Sequence, residues 1–354
     1  MINKEKVAIF NAQDVYQYTL TNQNGMQVSV LNYGGVITKI IFKDKYGNED
    51  NRILAYKDIN LYEQNPMFLG AIIGRIAGRI SNGKYTLDNK IHQLELNEID
   101  RNLHGGTKGY HHRFWQVETK EYTDKSIIQL TLKDNEYDGF IGNLDVCVEY
   151  ILSDDNVFTI DYLVKTDKKT ICNMTNHTYF NLLGSKNNNS IEKHYLKINS
   201  DEVAKVDKKT LPTGEFLKTK DDNVFNFKEF RKIGLYGMKN HEQQQIVNNG
   251  YDHAFKLNKV EKSNKDISLK EKTTGIQLDV TTTEDAVVIY TCNKVNTPYE
   301  LENHKLQRYA GVTIETQQMP DIVNSKQIDK IIITPEKPYD SKTLFKFSLV
   351  EENV

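Results

Sequence analysis

Proline is scarce in this sequence, with six in 354 residues, so its turns must be made by Gly, Asn and Asp. Cysteine is scarcer. Cys147, Cys172 and Cys292 are odd in number, far apart and in no CxxC spacing, which excludes a disulfide framework and a thiolate zinc site. Charge of one sign is also missing. Lys and Arg total 46 against 48 for Asp and Glu, a net of −2, and a nucleic-acid binder would carry a basic face. No stretch approaches the roughly 20 apolar residues of a membrane span. The N-terminal MINKEKVAIFNAQ lacks the apolar run of a signal peptide, so a cytoplasmic protein with no membrane or nucleic-acid partner is expected.

What the chain does have is aromatic residues, 20 Tyr and 14 Phe beside a single Trp. That is too many for a disordered chain, and it suits strands and sugar-facing surfaces. Period-2 patterns recur throughout. They run over Met26–Asn32, Val36–Phe42, Ser126–Leu132, Asp145–Leu152, Val157–Val164, Ala286–Thr291, Gly311–Glu315 and Lys330–Thr334. Helical signals are short and confined to Lys57–Asn65 and Val224–Leu235. The polar stretch Lys256–Lys272 reads as an exposed strand pair. Strands and helices do not alternate, which argues against doubly wound and TIM-barrel folds. An all-β chain forming one continuous domain is expected.

Several residues offer chemistry. His104 sits in Asn102-Leu103-His104-Gly105-Gly106, a tight turn that backbone and ligand can approach closely, although spacing alone favours a turn-capping histidine. His177 lies in Asn173–Leu182 (NMTNHTYFNL), where polar and aromatic residues interleave. Such a run is either a hydrogen-bond network or a site. Glu315 closes an apolar strand, as a solvent-facing end or as a paired or functional carboxylate. Asp252, in Gly-Tyr-Asp-His, reads in isolation as a turn aspartate. Arg75 and Arg79 share GAIIGRIAGRI, with no P-loop Lys-Ser/Thr after it, and at least one of them is expected to be structural. His104, His177 and Glu315 have the donor types of a metal site but no short ligand spacing. Glu315 and Asp252 are also conceivable as a glycosidase pair.

In order, the chain carries NYGG (32–35), GRIAGRI (74–80), NLHGG (102–106), NHTYFNL (176–182), DHAF (252–255) and ETQQMPD (315–321). In this series, from about residue 10 to residue 350, it resembles the aldose 1-epimerase (galactose mutarotase) family. The resemblance implies a single-domain β-supersandwich over 1–354, with large antiparallel sheets, few short helices, an open sugar cleft with its wall beside Phe180, no metal and no cofactor. It implies an isomerase that interconverts the α and β anomers of a free aldohexose, as a monomer or homodimer. Glu315 matches the family's general base and His177 its general acid, while His104, Arg79 and Asp252 match residues that hold the sugar. There are departures. Gly78 stands where several relatives have Asn, Val288 where many have Gln, and Cys292 where the family has Gly in Thr-Gly-Asn. Two alternatives share the fold, a hexose-6-phosphate 1-epimerase and a non-catalytic sugar-binding protein. The first would need an Arg-rich phosphate clamp, and the chain has seven Arg in all.

Overall fold

A computed structural model describes residues 1–186, 190–234, 241–259 and 265–350. Alternation builds the sheets. In Leu144–Ser153 and Val157–Thr166 every second side chain is buried, from Val146, Val148, Tyr150 and Leu152 to Phe158, Ile160, Tyr162 and Val164. These two strands are central in a nine-stranded antiparallel sheet that also takes in the strands Lys125–Asp134, Tyr339–Leu349, Ile276–Thr282 and Ile267–Glu271. A five-stranded sheet is formed by residues 2–51. A six-stranded sheet orders Tyr179–Phe180, Val312–Gln317, Ala286–Tyr290, Asp252–Leu257, Ser200–Val206 and Pro212–Lys218 side by side. One continuous core draws on all three, for example through Val28, Val148 and Ile314. Among the described residues the one α-helix is Glu242–Ile246.

The short helical signal at Lys57–Asn65 is met by a five-residue 3-10 helix over Ile59–Glu63. Other expectations about local structure are corrected. Within Val224–Leu235 there is no helix among the described residues, and Leu235 lies outside them. Asp222 Oδ1 takes the N–H groups of Val224 and Phe225, while Phe225 and Phe227 are both buried, a period-2 anchoring that a helix cannot satisfy. Lys256–Lys272 is not an exposed pair. Leu257 ends a strand of the six-stranded sheet, Ile267–Glu271 belongs to the nine-stranded sheet, and Leu257, Ile267 and Leu269 are buried; Val260 lies outside the described residues. Lys330–Thr334 also shortens, to the two-residue strand Ile332–Ile333.

Arg75 has a structural position. Its guanidinium is fully buried, with Nε 2.7 Å from Asp134 Oδ2 and further hydrogen bonds to the carbonyls of Ile141 and Asn135. Asp134 also accepts from Tyr110 Oη at 3.1 Å and pairs with Arg113 at 3.1 Å. Removing the carboxylate strands a buried cation. Asp134→Ala is therefore expected to cost about 3–5 kcal/mol, read from urea unfolding. A cost below about 1 kcal/mol, as for an exposed pair, would refute this account.

Candidate active site

The site begins as one face of the six-stranded sheet. In Val312–Gln317, Val312 and Ile314 face the core, so Thr313, Glu315 and Gln317 share the opposite face. Register places Val288 opposite Glu315 and Tyr290 opposite Thr313. On the next strand Ala254 lies opposite Val288, and Asp252 opposite Tyr290. Small apolar side chains, Ala204, Ala254 and Val288, form the floor with Met319 against them. The result is a cleft of about 280 Å³, at the small end of ligand pockets.

The other walls come from the turn motifs. His177 is pinned by its backbone, its N–H donating to Ala71 O and its C=O accepting from Gly70 N. The Asn176 amide donates to Gly70 O and to Tyr150 Oη, and Asn176 Oδ1 accepts from Thr178 N. The polar run around His177 is thus a hydrogen-bond network that also aims a side chain into the cleft. His104 sits at φ 53, followed by Gly105 and Gly106 at φ 84 and 81. A Cβ on Gly105 would stand 2.0 Å from Gly74 O, so this turn requires glycine. Phe180 points into the core against Phe345, and its neighbour Tyr179 reaches the cleft instead, as strand alternation dictates.

Glu315, His177, His104, Arg79 and Asp252 all line this cleft. Glu315 Oε1 lies 3.5 Å from His177 Nε2 and accepts from the Thr313 hydroxyl at 2.8 Å. Both side chains are buried. Burial pushes the Glu315 carboxyl up to about 8, with the Thr313 hydrogen bond opposing it, and holds the His177 imidazole down at about 3. Burial, then the neighbouring His177, also holds His104 well below the ordinary histidine range. Arg79 is clasped between two carboxylates, Nε 2.8 Å from Glu98 and Nη1 3.5 Å from Asp252. Thr291 and Asn293 brace this corner. The Thr291 hydroxyl accepts from Tyr251 N, and the Asn293 amide donates to the Tyr251 and Val247 carbonyls. Cys292 between them adopts φ 52, the left-handed conformation that favours glycine.

His104, His177 and Glu315 hold donor atoms within 4.8 Å of one another. Their hydrogen bonds do not fit a metal. His104 Nδ1 accepts the Gly78 N–H at 3.2 Å, which leaves the ring proton on Nε2 and makes that nitrogen a donor. A ligating histidine needs the reverse, with its second nitrogen donating to a carbonyl or carboxylate. Nδ1 of His177 has no such acceptor.

A family model for aldose 1-epimerase matches residues 16–346. The chain belongs to the aldose 1-epimerase family. Membership makes it an isomerase, a mutarotase by activity. It is 30% identical to the aldose 1-epimerase of Escherichia coli K12 over 353 residues, 98% of this chain and 99% of that one. It is 29% identical to human galactose mutarotase over 325 residues, 92% of each. Among solved structures, galactose 1-epimerase from Lactobacillus acidophilus NCFM superposes with a TM-score of 0.88 at 30% identity, covering 99% of both chains. Arg75 and Arg79 are four residues apart in one motif, yet only Arg79 reaches the cleft. Among the residues that the sequence reading misses are Gln317 and Glu98, which line the cleft, and Thr313, which bonds Glu315 from its own strand. Thr313 and Gln317 lie two residues either side of Glu315 and follow from strand period alone; Glu98 lies in a polar loop with no pattern to single it out. Among the described residues no helix is long and apolar enough to cross a membrane.

Proposed function

We propose that this cleft converts the anomers of a free aldohexose, with Glu315 as general base, His177 as general acid, and His104, Arg79 and Asp252 holding the sugar. The observation that carries the reading is the 3.5 Å approach of Glu315 Oε1 to His177 Nε2 on the lining of a small cleft. Side by side, the two atoms can each reach one of the two oxygens, O1 and O5, on a single anomeric carbon. Ionised Glu315 takes the proton from O1 while His177 delivers one to O5, and the C1–O5 bond breaks to give the open aldehyde. Half a turn about C1–C2 presents the other carbonyl face. O5 then attacks C1, His177 recovers the O5 proton and Glu315 returns one to O1, so both groups end as they began. The Nε2–H of His104 and the guanidinium of Arg79 stabilise negative charge developing on oxygen. Asp252 accepts from a hydroxyl. The core shared by all three sheets supports treating 1–354 as one domain.

The pair behaves as a unit holding one proton. Between about pH 3 and 8 that proton rests on Glu315 while His177 is neutral. Passing it across gives the carboxylate and imidazolium from which ring opening starts, at no change in net charge. Above about 8 Glu315 loses its proton to solvent, His177 stays neutral and the acid is missing. We therefore expect kcat/KM, corrected for buffer and hydroxide catalysis, to be flat through pH 6–7 and to fall as pH rises past about 8. A rise or fall centred on the ordinary histidine value near 6.5 would contradict this.

Two features of the cleft favour a neutral sugar over a phosphorylated one. Arg79 already has the carboxylates of Glu98 and Asp252 as partners. A phosphate dianion would meet these carboxylates with only Lys294 as a further cation on the lining. Polarimetry of fresh α-D-glucose beside α-D-glucose 6-phosphate tests this. We expect kcat/KM at least about tenfold higher on the free sugar, one charge-assisted contact's worth. A preference for the phosphate ester would overturn it. The presence of both acid and base argues against a non-catalytic sugar binder.

A further inference from the structure

Gln317 ends the strand that carries Glu315, two residues further on and on the same face. Its side chain is fully buried, and neither the amide oxygen nor the amide nitrogen has a hydrogen-bond partner. A primary amide brings two donors and two lone pairs, so this is a standing cost to the fold. The neighbours explain why nothing meets it. Directly across the sheet lies Ala286, which has no polar side-chain atom. On the cleft side lies Gly78 at φ 79. A Cβ there would come 3.7 Å from Gln317 Nε2, but glycine supplies none and no side chain caps the amide. Both residues line the cleft. The next residue behaves otherwise: the Gln318 amide donates to Glu284 at 2.7 Å, and its N–H donates to Asn173 Oδ1 at 2.9 Å.

A buried amide left unpaired at the wall of a binding cleft is completed by what enters the cleft. We propose that Gln317 is a specificity-determining residue whose amide pairs, directly or through one ordered water, with a non-anomeric hydroxyl of the bound hexose. This rests on the cleft being the hexose site. Strand spacing sets Gln317 about 7 Å along from Glu315, beyond the hydroxyl that Glu315 serves.

Gln317→Met keeps length and volume and removes every hydrogen-bonding group. For α-D-galactose and α-D-glucose its KM should rise about tenfold, with most of the loss in KM. Across 2-, 3-, 4- and 6-deoxyhexoses the loss should vanish for the one sugar that lacks the contacted hydroxyl. The thermal midpoint should hold or rise, because an unpaired buried amide has gone. Gln317→Ala, which vacates the position, should show the same selectivity among the deoxy sugars. An unchanged KM on the parent hexoses, an equal loss on every deoxy sugar, or a KM rise tied to a lowered midpoint would each overturn the assignment. If the wild type bound and turned over none of these sugars, the hexose reading itself would fail, and this one with it.

Discussion

Glu315→Gln is expected to abolish nearly all catalysed mutarotation, a loss of about 10²–10⁴-fold in kcat, the scale of one general base. The substitution is well controlled by its surroundings. Glutamine keeps the shape and an oxygen that still accepts from the Thr313 hydroxyl. It is also neutral, as the buried Glu315 already is below about pH 8, so burial gives no reason for it to unfold the protein. What it removes is the capacity to take a proton from O1. Polarimetry of fresh α-D-galactose or α-D-glucose, with a thermal melt alongside, reads both. A variant with wild-type rate would mean that the base is another group, and Asp252 would be the next cleft carboxylate to test.

His177→Asn is expected to lower kcat by at least about two orders of magnitude, since no proton then reaches O5 from this wall. The backbone bonds of residue 177 to Ala71 and Gly70 do not depend on its side chain, so the loop should stay in place. KM should change less than kcat, because the acid acts as the C1–O5 bond breaks rather than in initial binding. The double variant should lose little more than the worse single one, as expected when two groups act on one proton path. Fully additive losses would show two separable contributions and would argue against a shared proton.

That Glu315, His177, His104, Arg79 and Asp252 would meet in one cleft was legible in the sequence because each lies in a short contiguous motif, and the order of the motifs stood in for a three-dimensional constraint. The bonds that tune them were less visible. Thr313 was within reach of a period-2 argument. The Glu98 clasp on Arg79 was not, because it joins a loop to a strand through a turn that carries no periodic signal. Fold class followed from alternation, but sheet membership did not. Leu257 and Ile267 are ten positions apart, yet they belong to different sheets, and nothing in local periodicity marks the switch. The Phe225-x-Phe227 pair illustrates a second limit. Its i, i+2 spacing with both rings buried is that of extended chain, inside a segment expected to be helical.

The cleft floor is made of Ala204, Ala254 and Val288, and Val288 lies directly opposite Glu315. Shape and chemistry are therefore written on separate positions of the same sheet. With the roles proposed above, enlarging or trimming a floor residue is expected to alter which sugar fits while leaving Glu315 and His177 in place. On that reading, substrate range could drift by single substitutions while the reaction stays fixed, and these three positions are the ones to combine in a library for retuning toward other aldoses.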